Sequence, residues 1–313
     1  ILARAISPRS KCDFALKTSS HRERTPMNHT ANLLTALASV ATLCLATICT
    51  AQDAGVNELA VQTADSGAGW RLVWQDEFDG QTLDYSKWGV EQNAFGGGNE
   101  ELQIYTDRKE NVRVEAGCLV LEARRDNAGV SGTEREYSSG RVRTKHRGDW
   151  KYGRVEVRAR LPKGAGIWPA IWMLPTDECY GSWASSGEID IVELKGGEPN
   201  KVLGTLHYGG HWPDNKYSGE EYVLPERTFA DDFHTFAVEW KEGEIKWFVD
   251  GNHYQTQTEW ESIGGAYPAP FDQRFHLLFN LAVGGHFVQK PNDQTSFPQQ
   301  MQIDYVRVYQ SGQ

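Results

Sequence analysis

From Trp70 onward the chain is a succession of short runs in which apolar and polar residues alternate, separated by Gly, Pro, Asn and Asp. Arg71–Trp74, Cys118–Ala123, Gly140–Thr144, Gly153–Arg160, Phe236–Trp240 and Ile245–Gly251 all follow a period of two, the spacing of a strand. No long segment carries a helical period, and no unit repeats. Many short strands without repeats predict a two-sheet antiparallel sandwich, hence an all-β fold. Asp250-Gly251 is the turn dipeptide of a hairpin. In the run before it both alternating sets hold an aromatic, Trp247 and Phe248, so that strand is expected to be covered on both faces. Met301–Tyr309 alternates cleanly and is expected to close the sandwich against the first strand.

One run breaks the alternation. In Glu188-Ile189-Asp190-Ile191-Val192-Glu193, Glu188 and Asp190 share a face while Ile189 and Ile191 point into a core. Strict alternation puts Glu193 on the apolar side, where an unpaired carboxylate is costly. A β-bulge between Asp190 and Glu193 returns it to the face of the other two. Five steps at about 3.3 Å separate the Cα atoms of the two glutamates by roughly 16 Å, and a bulge shortens this. Two glutamates leaning together, each reaching about 4–5 Å, then approach the ~5–5.5 Å separation of retaining glycosidases. The alternative reading of the same residues is a solvated acidic face.

The chain has 313 residues and a formal net charge of −10, which argues against nucleic acid or a strongly sulfated polymer as partner. Eleven Trp and twelve Tyr provide faces on which sugar rings can stack, although most are expected in the core. Asn32–Cys49 is apolar and ends in small residues, as in a secretory signal peptide cleaved near Ala51. Residues 1–26 are polar, basic and without Met, and are expected to be an unstructured upstream extension. Residues 27–51 then form the signal peptide and 52–68 a linker. Of five cysteines, Cys118 and Cys179 remain beyond it. Cys118 reads as a small core residue, pairing with Cys179 is open, and no metal-ligand spacing is present.

Taken together, these residues resemble glycoside hydrolase family 16, and most closely its laminarinase branch of endo-acting β-1,3-glucanases. The resemblance covers residues 69–311 and is carried by linked motifs. These are Asn99-Glu100-Glu101-Leu102-Gln103, Gly166–Pro175, Glu188–Glu193, His207-Tyr208-Gly209-Gly210 and Asn280–Gly285. It implies a concanavalin-like β-jelly roll with an open concave cleft. It further implies Glu188 as nucleophile, Asp190 as the residue that tunes it, and Glu193 as acid/base in a retaining double displacement.

Around the triad the resemblance implies sugar stacking on Trp183, with Trp168 and Trp172 as further platforms. It also implies a histidine, His207, beside the acid/base, and polar contacts from Asn99 and Arg141. Core Trp, a structural His and a surface-paired Arg141 are the competing readings. Gly96-Gly97-Gly98 reads as a cleft-edge loop, since it lacks the Lys-Ser/Thr of a phosphate loop. Glu77 and Asp304 match acids that bind a structural calcium in many members, the alternative being two surface acids. No cofactor is implied for catalysis.

After Gly284-Gly285 the sequence departs from the laminarinase pattern: His286-Phe287-Val288-Gln289-Lys290-Pro291 follows. The expected protein is a secreted, monomeric enzyme acting on β-glucan, with no membrane association after signal cleavage. An agarase, porphyranase or carrageenase of the same family, a transglycosylase, or a non-hydrolytic glucan-binding lectin remain as alternatives.

Overall fold

A computed structural model describes residues 69–312. The expected extension, signal peptide and linker lie outside these residues. Among those described, strands dominate and the one helical element is a 3₁₀ turn at Gly96–Gly98. The strands form two sheets of ten and eight. The eight-stranded sheet runs in the order Asn215–Val223, Lys201–Gly209, Glu188–Leu194, Ile167–Pro175, Phe275–Val283, Arg141–Arg143 and Gly89–Val90, with Asp149–Trp150 added beside Phe275–Val283.

The core is built by the alternation read from sequence. Ile189, Ile191, Val192 and Leu194 of the acid strand are buried, as are Val238, Trp240, Ile245, Trp247 and Val249 of the opposing sheet. Trp70–Asp76 pairs antiparallel with the last strand, Gln299–Ser311, so the sandwich closes as expected. Asp250 and Gly251 both take positive φ, 50° and 77°, the conformation of a tight hairpin turn.

Two expectations are corrected. Strand Glu244–Val249 buries Ile245, Trp247 and Val249, while Glu244, Lys246 and Phe248 are only half-buried. Phe248 lies instead under the Arg154 guanidinium, 5.3 Å from its ring centroid, so an aromatic on the outer face signals a cation–π contact rather than a second core. The strand pairing is antiparallel as expected, apart from Gln103–Tyr105, which runs parallel to Thr133–Ser139. Both cysteines are free, and Cys118 is half-buried on the outer face beside Arg158, Arg160 and Asp304 rather than in the core.

Candidate active site

The acid strand bulges where the cost of burying Glu193 required it. Against Lys201–Gly209 the register jumps between Asp190 and Glu193, so that Ile191 and Val192 together face Gly204. Both are buried, at 2% and 1% exposure, and the extra residue returns Glu193 to the outer face with Glu188 and Asp190. Beside the bulge the Trp247 indole donates to the Asp190 carbonyl from the opposite sheet at 2.8 Å.

Each glutamate is held by an indole. Trp183 donates to Glu188 Oε2 at 2.8 Å, and Trp168 donates to Glu193 Oε1 at 3.0 Å. Trp183 is 39% exposed, with a face available to a ligand. Trp168 differs from the expected open platform: it is 8% exposed, with Phe287 tilted across it at a centroid distance of 4.8 Å. Trp172 is half-buried, donates to Asn280 Oδ1 at 2.7 Å and carries the Arg141 guanidinium 5.0 Å above its ring.

His207 stands elsewhere than expected. It lies opposite Glu188 across the strand pair, its Nε2 3.4 Å from Asp190 Oδ2 and 3.8 Å from Glu188 Oε1. It therefore sits on the Glu188 side of the triad, not beside Glu193. A two-residue alternation identifies its face but not which of two acids its ring reaches.

Arg141 is buried in the sheet rather than free for sugar or surface pairing, with its Nε 3.2 Å from Glu91 Oε2. Arg143 meets the other oxygen of the same carboxylate at 3.1 Å. Asn99 contributes mainly through its backbone, whose carbonyl accepts the His286 N–H at 2.9 Å, while its side chain turns back to Gly97. Glu91 was not singled out in the sequence, and Asn280 entered only as the first residue of the Asn280–Gly285 motif, without a role of its own. Every residue of Phe275–Val283 is buried, and it is the register of Ala170, Asn280 and Arg141 across three strands that brings Asn280 to the site.

The calcium pair does not assemble. Glu77 is bound bidentately by Arg307, with both contacts at 2.8 Å, and Asp304 is engaged by Arg158. Arginines neighbouring them in the sheet satisfy both acids, so these residues do not fit a shared cation.

Burial and mutual repulsion govern the charges of the triad. Burial pushes the Glu193 carboxyl up to about 8, and the negative charge of Asp190 adds to the effect. The His207 ring, the Trp168 N–H and Lys195 oppose it. The same two causes push Glu188 up, and burial pushes Asp190 up. The three acids thus titrate as one unit and hold fewer than three charges at neutral pH.

Each acid binds its proton more tightly folded than unfolded, so the contribution of the triad to stability is most favourable at low pH and is lost as pH rises from about 4.5 to about 8. Glu193→Gln removes one such group. It is expected to melt at least about 2 °C above the parent at pH 8, with the difference vanishing near pH 4. Thermal melts across that range check this, and a variant less stable than the parent at pH 8 would contradict it.

Two carboxylates on one face, one of them poised to carry a proton, with aromatic rings beside them, can perform acid–base chemistry on a glycosidic oxygen. Residues 100–307 match the family model described as glycosyl hydrolases family 16. The chain belongs to that family. As a family 16 glycoside hydrolase it is an enzyme whose catalysis needs no cofactor. The ligand atoms of Glu188, Asp190 and His207 lie within 4.8 Å of one another, close enough to chelate, but in this family they read as part of the acid–base cluster.

Among its relatives, a beta-glucanase of Rhodothermus marinus is 44% identical over 271 residues, covering 82% of this chain and 90% of the relative. Glucan endo-1,3-beta-glucosidase A1 of Niallia circulans is 47% identical over 260 residues, 77% of this chain but only 38% of that protein's length. The laminarinase structure from Rhodothermus marinus superposes with a TM-score of 0.69 at 43% identity, covering 78% of this chain and 98% of the other. The catalytic domain of an endo-1,3-beta-glucanase (laminarinase) from Thermotoga petrophila gives 0.70 at 40%, covering 78% and 99%. The jelly-roll sandwich of the family is therefore the fold of this chain.

Proposed function

We propose that this family 16 enzyme is a retaining endo-β-1,3-glucanase of the laminarinase type. The observation that carries the reading is the bulge that sets Glu188, Asp190 and Glu193 on one face, each glutamate held by an indole N–H. Glu188 attacks the anomeric carbon while Glu193 gives its proton to the departing oxygen. Once Glu188 is esterified it carries no charge, the repulsion on Glu193 eases, and Glu193 takes a proton from water that cleaves the ester. Asp190, with His207 beside it, maintains the charge balance around Glu188. Trp183 and Trp172 offer rings to the sugars, and Asn280, held by Trp172, offers polar contacts.

Export is part of the proposal. Residues 27–51 have the composition of a signal peptide, and no helix among the described residues is long and apolar enough to cross a membrane. Polysaccharide is the proposed partner and a monomer the proposed state. A structural calcium on Glu77 and Asp304 is not included, since arginines engage both acids.

Reducing-sugar release on laminarin, lichenan, agarose and carrageenan, with the anomeric configuration of the first product followed by NMR, tests this reading. Release from laminarin with β-configured first product is expected. Cleavage of only the galactans, α-configured first product, or binding without cleavage would overturn it.

A further inference from the structure

The loop 284–291, where this chain departs from the laminarinase pattern, places one aromatic ring against the site. Phe287 is half-buried, its ring 4.8 Å from that of Trp168 at an interplanar angle of 38°. Trp168 in turn donates its N–H to Glu193. Lys195, two residues after Glu193, sets its ammonium 4.5 Å from the Phe287 ring centroid. A chain of contacts thus leaves Glu193, passes through two rings and returns to the end of the same strand.

The loop is tied firmly enough to hold that ring. Gly284 N donates to Gly166 O at 2.8 Å, His286 N to Asn99 O at 2.9 Å and Gln289 N to Gly285 O at 2.9 Å. Gly166 precedes Trp168 by two residues, and a Cβ there would stand 2.2 Å from Pro291 N. Loop and Trp strand therefore pack backbone against backbone.

We propose that Phe287 is a positioning residue for the acid/base: it clamps the Trp168 ring so that the indole N–H stays on Glu193. The proposal rests on the reading of Glu193 as acid/base. Without Phe287 one face of Trp168 is uncovered and the ring can leave its rotamer. Lys195 loses its aromatic partner and turns to water. Glu193 then loses a hydrogen bond that favours its ionised form, so it holds its proton to higher pH and aims it less well.

The experiment compares the full chain with Phe287→Ala, Phe287→Trp, Trp168→Phe, the double Trp168→Phe/Phe287→Ala, and Glu193→Ala. Substrates are laminarin and a short β-1,3-gluco-oligosaccharide bearing a dinitrophenyl leaving group, which departs without protonation. Phe287→Ala is expected to lower kcat on laminarin about tenfold, a fraction of the ~10²–10⁴ a general acid supplies, with KM within about twofold. The alkaline limb of its pH–rate profile is expected to move upward, and its rate on the dinitrophenyl substrate, with azide present in place of activated water, to stay within about twofold of the parent. Phe287→Trp is expected to restore the parent profile, and the double variant to be no worse than the worse single one.

An unmoved alkaline limb with a rise in KM alone would make Phe287 a sugar contact, and additive losses or equal losses on both substrates would make it merely structural. Each overturns the proposal. Glu193→Ala separates the two readings: with azide present it should lose laminarin but keep the dinitrophenyl substrate. If it does not, the acid/base assignment fails, whatever Phe287 does.

Discussion

Glu188→Ala is expected to lose hydrolysis of laminarin by on the order of 10⁴-fold or more, as when a covalent nucleophile is removed elsewhere. Added azide is expected to restore turnover and to leave as an α-configured glycosyl azide. With the carboxylate gone, a small anion can enter from the face Glu188 occupied while Glu193 still protonates the leaving oxygen. On the dinitrophenyl substrate, Glu193→Ala is expected to give the opposite product, a β-configured azide, because the glycosyl ester on Glu188 still forms there without an acid and azide replaces water in the second step. The two products distinguish the roles without relying on rates alone. Identical configuration from both variants, or wild-type turnover by either, would remove the double displacement from this pair.

Gly204→Ala is expected to be strongly damaging although it lies away from the carboxylates. Gly204 is the single residue facing the bulged Ile191 and Val192. A Cβ there would meet Trp247 Cδ1 and Tyr254 Oη, each at 2.5 Å. Trp247 is fully buried and supplies the N–H that satisfies the Asp190 carbonyl. Pushing it aside combines overpacking, about 1–3 kcal/mol, with loss of its hydrogen bond to the Asp190 carbonyl, a further ~0.5–1.5 kcal/mol. The melting temperature should fall by several degrees, about 2–4 °C per kcal/mol. Activity of the folded fraction should fall as well, because the bulge that aligns the acids loses its anchor. Gly197→Ala is the control, since its Cβ would meet only Ala165 Cα at 3.9 Å. Equal melting temperatures for the two variants would show that the bulge does not depend on Trp247.

The parts of this protein that could be read early are those governed by local rules. A period of two states which residues face inward, and the inward residues of 188–194 are buried as the pattern requires. The bulge was readable for the same reason, because a lone carboxylate on the core side is too costly to keep there. Closure of the last strand on the first followed from two edges of matching pattern.

The misread residues are those whose partners come from far along the chain. Trp168 was expected open to the cleft, but Phe287, 119 positions later, covers it. His207 was expected beside Glu193, and its ring instead reaches Asp190 and Glu188. Arg141 is committed to Glu91, and Glu77 and Asp304 to Arg307 and Arg158. An acid's identity does not say whether a guanidinium or a cation will satisfy it; that depends on what the neighbouring strand presents.

The amino-acid sequence by itself determined the strand pattern, the bulge and the face on which three acids lie, because steric alternation and the cost of burying charge act between near neighbours. Only the tertiary structure decided which indole holds which glutamate, which acid the histidine attends and which arginine neutralises each outlying carboxylate. Those pairings depend on sheet order and register, which bring together residues that share no local rule.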